Sequence, residues 1–94
     1  MLVVGRKLIV DFGASHADAH QQMAAWLSEV EEAEWRTSSD VRARYRSASF
    51  LRGNRVVFNI KGKRYRILVS VSYKLRVVQI LAVGTHAEYN RWEL

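Results

Sequence analysis

Two runs of strict alternation on either side of Gly62-Lys63 constrain the fold of this chain more than any other feature. Val56, Phe58 and Ile60 alternate with Arg55, Val57 and Asn59; Tyr65, Ile67, Val69 and Val71 alternate with Arg66, Leu68, Ser70 and Ser72. A period of two in β-branched and aromatic residues specifies strands. A two-residue turn at Gly62-Lys63, with Gly at the first position of a type II′ geometry, pairs Ile60 with Tyr65, Phe58 with Ile67 and Val56 with Val69. Every apolar residue then meets an apolar residue, whereas a three-residue loop sets Phe58 against Arg66. The same register lines the opposite face with Lys61 beside Arg64 and Asn59 beside Arg66, then Val57 beside Leu68. One end of that face is polar and cationic and the other apolar. A third strand over Arg76–Val83 runs antiparallel to the second and brings Thr85 and His86 back beside Arg64 and Arg66. Its link, Lys74-Leu75, is a poor turn former, so a longer loop and a two-residue slip stay open.

The first third has a helical period. Leu8, Ile9 and Phe12 share one face up to Gly13, which reads as a stop. Ser15 reads as an N-cap with Asp18 three residues on, and Ala19, Met23, Trp26, Leu27, Val30 and Ala33 follow at spacings of three and four. They define an amphipathic helix of about 17 to 20 residues. Glu29, Glu31, Glu32 and Glu34 crowd its C-terminal end, where acids oppose the helix dipole, so nearby cations are expected there. Thr37-Ser38-Ser39-Asp40 reads as a loop and cap opening a short helix over Val41–Arg46.

Charge is divided along the same boundary. Residues 1–40 carry three basic and seven acidic side chains, and residues 41–94 carry twelve and two. Between Val41 and Ala87 there are eleven Lys or Arg residues and no Asp or Glu, so the net charge of +6 understates the local field. Such a block attracts phosphate polyanions and speeds encounter with them. An acidic protein partner would feel the same field, and a merely solvated basic face would also have this composition. The 94 residues make one domain, 1–94, with a modest core, and 49% hydrophobic content argues against disorder. The absence of cysteine rules out a disulfide framework and a thiolate metal site, and fits a reducing, cytoplasmic setting. No apolar run approaches the roughly 20 residues of a membrane span, and the start lacks the order of a signal peptide.

The basic block closes on Thr85-His86-Ala87-Glu88-Tyr89. A ribonuclease working without a metal needs a 2′-hydroxyl placed to attack the next phosphate and a base for its proton. It also needs an acid for the departing 5′-oxygen and cations for the charge developing on phosphorus. His86 suits proton transfer, and Tyr89 suits proton donation or stacking on a base. Arg66, Arg64 and Lys61 suit the phosphate, the arginines by binding two oxygens at once. Asn59, Lys63 and Arg55 surround the same hairpin as further RNA contacts, while Arg42, Arg44, Arg46 and Arg52 read as docking charges. A groove that only binds an anion needs the same cations. His16 and His20 share a helix face but lack a third metal ligand. Gly5, Gly53 and Gly62 form no phosphate loop, and Ser47 and Ser49 have no assignable base. Phe58, Tyr65 and Tyr73 fall on the apolar strand face and read as core; Tyr45, Tyr89 and Trp92 are freer for stacking.

Several motifs in order carry a family resemblance: Arg44-Tyr45 leading to Ser47-Ala48-Ser49-Phe50, then Asn54 through Gly62, then Tyr65-Arg66, then Gly84 through Tyr89. Together with Val3 through Lys7 and Ala33 through Arg36, they resemble the HigB toxins, which belong to the RelE-like toxins of bacterial toxin–antitoxin pairs. The resemblance implies an α+β, RelE-like domain with N-terminal helices packed on a mostly antiparallel sheet of about four strands, the N-terminal strand joining those of the second half. It implies an mRNA endonuclease that uses no metal or other cofactor and cuts on translating ribosomes. It also implies neutralisation by a HigA-like helix-turn-helix antitoxin. The family's motif positions fall on Arg66, His86 and Tyr89, and on Asn59 and Lys61. Lys63 departs from the Asn common after the turn Gly and adds charge near the phosphate site, and Asn90 departs from an Asp that would orient His86, so a slow or inactive relative is one expectation. Two rivals stay open: a toxin of the same fold that binds a protein such as gyrase, and a plain RNA-binding module.

Overall fold

The computed structural model describes residues 1–94. In chain order it contains β1 (Leu2–Val4), α1 (Arg6–Ser15), α2 (Ala17–Glu32), α3 (Ser38–Arg44), β2 (Ser49–Leu51), β3 (Arg55–Ile60), β4 (Tyr65–Ser72), β5 (Val77–Thr85) and α4 (His86–Tyr89). The strands form one five-stranded sheet in the order β1-β5-β4-β3-β2. β1 lies parallel to β5, and every other neighbouring pair is antiparallel. The expected α+β class holds, with one more strand than the sequence suggests because short β2 extends the far edge.

The hairpin register is the one set by apolar pairing: Val56 faces Val69, Phe58 faces Ile67 and Ile60 faces Tyr65, with Asn59 opposite Arg66 on the other face. Gly62 has φ +69° and the Arg64 N–H donates to the Lys61 carbonyl at 3.3 Å, closing the turn. Lys61 is itself left-handed, φ +55°, so the ladder ends at Ile60 and Tyr65 and does not extend to Lys61 and Arg64. After the next link, Ser72 faces Val77 as a short turn would place it. One irregularity then intervenes, because Val69 faces Ile80 while Leu68 faces Ala82. Leu81 is the extra residue, and the bulge sets Thr85 opposite Tyr65 instead of one position further on. The slip is thus one residue, made inside the strand and not in its link.

One sheet face carries the core. Met23, Trp26 and Val30 of α2 and Ile9 of α1 pack with Val56, Phe58, Ile67, Val69, Val78 and Ile80. Burying each such side chain contributes about 1.5–3 kcal/mol, which fixes the strand faces and so the positions of the polar residues between them. The α2 stripe expected from spacing is buried at Ala19, Met23, Trp26, Leu27 and Val30. Four helix boundaries differ from the sequence reading. α1 continues through Gly13 to Ser15, and Gly13 is buried where α1 meets α2: a Cβ there would stand 3.1 Å from His20 Nδ1. Its role is close approach, not termination, and the N-cap of α2 is His16 instead of Ser15. α3 starts at Ser38, behind a Thr37–Asp40 capping box, and ends at Arg44 instead of Arg46.

Two of the four acids at the end of α2 meet cations. Glu31 pairs with Arg6, and Glu29 with Arg44 at 2.7 Å. The Met1 ammonium lies 2.6 Å from the Ala33 carbonyl and 3.2 Å from that of Val30, adding positive charge at the negative end of the helix dipole. No helix is long and apolar enough to cross a membrane.

Candidate active site

Arg66 projects from β4 on the face away from α2, between Asn59 of β3 and Gly84 of β5. Gly84 is needed there, because a Cβ would stand 2.9 Å from Trp92 Cζ2 and 3.1 Å from Glu88 Cβ. The C-terminal segment therefore packs on the sheet beside Arg66. Its first turn, α4, is held by a reciprocal cap: the Glu88 N–H donates to Thr85 Oγ1 at 3.2 Å and the Thr85 N–H donates to Glu88 Oε1 at 2.9 Å. The Thr85 N–H, then its hydroxyl, holds the Glu88 carboxyl below its ordinary pKa. The His86 N–H donates to the Arg64 carbonyl at 2.9 Å, fastening the start of the turn to the hairpin.

These constraints bring Arg66, His86 and Tyr89 together. Arg66 Nη2 lies 3.2 Å from His86 Nδ1, and the guanidinium carbon sits 4.3 Å above the Tyr89 ring. Guanidinium only donates, so Nδ1 accepts and the proton of a neutral His86 ring is on Nε2. Tyr89 in turn meets Trp92 edge to face at 5.4 Å. Arg66 is 8% exposed, and its Nε–H is buried without a hydrogen-bond partner. Across the ladder Asn59 donates from Nδ2 to the Ser47 carbonyl at 2.8 Å, while its Oδ1 is likewise buried and unpartnered. Buried polar groups are rarely left unpaired, and here an idle donor and an idle acceptor occupy directly paired ladder positions. His86 is exposed beside them, and its Nδ1 is faced by Arg66 and not by an acid at Asn90.

The other cations named from sequence are dispersed. Lys61 and Arg64 turn back to the N-terminal end of α2. Arg64 Nη1 is 3.0 Å from Asp18 Oδ2, Lys61 Nζ is 4.0 Å from the same oxygen, and Lys61 donates to the Asp18 carbonyl at 3.2 Å. The Tyr65 hydroxyl donates to Asp18 Oδ1 at 2.6 Å. That bond is the main reason the Asp18 carboxyl sits below its ordinary pKa and the Tyr65 phenol above it. The grouping of Lys61 and Arg64 with Arg66 therefore does not hold in side-chain contact, because Asp18 draws both to the other side of the hairpin. Lys63 is exposed at the turn. Arg55 donates to the carbonyls of Arg52 and Leu94, both at 2.9 Å, and so secures the C-terminal end across the sheet.

Arg42, Arg44, Arg46 and Arg52 are all exposed. Arg42 lies 4.5 Å over the Phe50 ring, which stiffens it at the β2 edge, and Arg44 is taken up by Glu29. Tyr45 is not free for stacking on a base: it packs edge-on to Phe58 at 5.0 Å and donates to Glu29. Burial first, then Glu29, pushes its phenol above the ordinary pKa. Trp26 and Trp35 are buried, at 2% and 5% exposed, and offer no apolar surface to a partner. Asp18 is the residue that reading undervalued. It looked like a cap, and the signal that could have found it was an acid-poor hairpin needing a counter-charge from the acidic first third.

The fold and the site define a small α+β domain with a helical layer on one sheet face and a cationic, histidine-bearing cluster on the other. Residues 19–92 match the family model HigB_toxin, described as the RelE-like toxic component of a toxin–antitoxin system. The chain belongs to that family, and a toxin of such a system has an antitoxin as its partner. No curated protein matches the chain.

Proposed function

We propose that this toxin is a metal-independent endoribonuclease that cuts mRNA on translating ribosomes. The observation that carries this reading is Arg66, buried with an idle Nε–H between an exposed histidine and a tyrosine ring. A phosphate that draws the guanidinium out from beside the Tyr89 ring supplies the acceptor that Nε lacks, and its second oxygen takes Nη2, giving the two-pronged contact that guanidinium favours. Once phosphate draws Nη2 away, His86 Nδ1 is free to exchange a proton. The 2′-oxygen then attacks phosphorus, its proton passing to a base, and the bond to the 5′-oxygen breaks as that oxygen is protonated. The products are a 2′,3′-cyclic phosphate and a 5′-hydroxyl. His86 and Tyr89 share proton transfer and alignment, and Arg66 stabilises the charge on the five-coordinate phosphorus. Asn59 Oδ1 accepts from a sugar hydroxyl or base amine beside that phosphate.

Arg42, Arg46 and Arg52, with Lys63, form the docking surface for ribosomal and messenger RNA phosphates, which sets the site of action in the cytoplasm. The antitoxin, of the HigA-like helix-turn-helix type, covers this block with acidic side chains, so the complex weakens as salt rises. Mapping transcript ends after induction tests the reading. Defined internal cuts support it; intact transcripts with DNA damage favour a gyrase poison, and RNA binding with neither toxicity nor cuts favours a binding module.

A further inference from the structure

Lys61 and Arg64 are the only cations at the hairpin held by an acid, and that acid comes from the other half of the chain. Asp18 gives Oδ2 to Arg64 at 3.0 Å and to Lys61 at 4.0 Å, its carbonyl to Lys61 at 3.2 Å and Oδ1 to the Tyr65 hydroxyl at 2.6 Å. The Tyr65 bond anchors it, since Tyr65 belongs to the core and is 6% exposed. The pairs to Lys61 and Arg64 are different in kind: these side chains are 38% and 62% exposed, so water and salt compete for them. A carboxylate that accepts from Arg64 and lies within ion-pairing distance of Lys61 occupies the place an RNA phosphate would take between the two cations. Lys61 has a left-handed backbone, φ +55°, and its Nζ reaches the Asp18 carbonyl.

We propose that Asp18 is an intramolecular competitor for an RNA backbone phosphate, a latch that occupies Lys61 and Arg64 until substrate displaces it. This rests on the RNA-cleaving reading above. The latch makes this part of the hairpin weak for stray polyanions and opens it where a neighbouring phosphate is already held by Arg66. Asp18 touches no reacting atom; it positions and restrains two cations.

The test is binding of a short 2′-O-methyl RNA, which cannot be cleaved, to the full chain by fluorescence anisotropy over a range of salt. Asp18→Asn keeps an acceptor for Tyr65, and thermal melting checks that the fold is unchanged. Asp11→Asn makes the same change of net charge on α1, where Asp11 pairs only with Lys7, and serves as the comparison. Asp18→Asn should bind about three- to tenfold tighter than Asp11→Asn, because exposed ion pairs of this strength no longer oppose the phosphate. Its log–log salt slope should steepen by about 0.7 for each cation freed. Adding Arg64→Gln and Lys61→Gln should abolish the gain. Equal affinity and slope for Asp18→Asn and Asp11→Asn, or a gain that survives loss of Lys61 and Arg64, overturns the latch. Elution from heparin reads the same cations without RNA recognition. Later elution of Asp18→Asn than of Asp11→Asn, with no RNA bound by any variant, upholds the competitor role for polyanions and overturns the RNA reading.

Discussion

Arg66→Met separates stability from activity at a single side chain. In the folded protein Arg66 makes one hydrogen bond to His86 and one cation–π contact with Tyr89, and it keeps one buried N–H unpartnered. The hydrogen bond contributes about 0.5–1.5 kcal/mol and the cation–π contact about 0.5–2 kcal/mol. Against them stands a buried, unsatisfied donor costing about 1–3 kcal/mol, together with the desolvation of a guanidinium at 8% exposure. The terms nearly cancel, and Met has a similar length with no polar atom to satisfy. Stability should therefore change by less than about 1 kcal/mol, a shift in Tm within about 4–8 °C for a domain of this size. Cleavage should fall by about 10²–10³, the usual cost of removing one donor aimed at developing charge. Thermal melting and single-turnover cleavage by the same preparation measure both quantities. A loss above about 2 kcal/mol would make Arg66 a structural keystone and refute the reasoning, and so would retained cleavage with unchanged stability.

Gly84→Ala should leave the core intact but push Trp92 and Glu88 off the sheet, lowering cleavage at least about tenfold with melting near wild type; chymotryptic nicking after Trp92 should rise in parallel. Tyr45→Phe should cost about 0.5–1.5 kcal/mol through the lost bond to Glu29 and leave RNA affinity unchanged, as anisotropy would record. Asp18 and Glu88 both have folded-state pKa values depressed below their ordinary values of 3.8 and 4.5. The stability they contribute is therefore full above those values and is lost as pH falls through the lowered ones. Denaturant titrations between neutral pH and pH 3 should show a shallower acid limb for the double variant Asp18→Asn, Glu88→Gln than for wild type.

The hairpin was legible because each apolar residue had one partner register that kept the core face closed, and that register also fixed Asn59 against Arg66. The α2 stripe was legible for the same reason, through its period. The return of His86 was legible in outline, but the Leu81 bulge was not, since a single extra residue leaves no mark on the alternation around it. Gly13 misled because a glycine that permits two helices to touch looks the same in sequence as one that ends a helix. The cluster at Arg66 followed from strand pairing, whereas the withdrawal of Lys61 and Arg64 depended on Asp18, 43 residues from the lysine in sequence. Pairing rules run along a sheet; they do not say which acid a helix will set beside a turn. Tyr45 was misread because packing on Phe58 and Trp35, residues distant in sequence, is what buries it.

The most direct test is end-chemistry mapping of transcripts from cells producing the wild-type toxin or its His86→Ala variant. Wild type should leave 2′,3′-cyclic phosphate and 5′-hydroxyl ends at defined sites, and the variant should lose them by at least about 10² while still folding and still binding the antitoxin. Cuts of equal frequency in the variant, or none in the wild type, would contradict the proposed chemistry at Arg66, His86 and Tyr89.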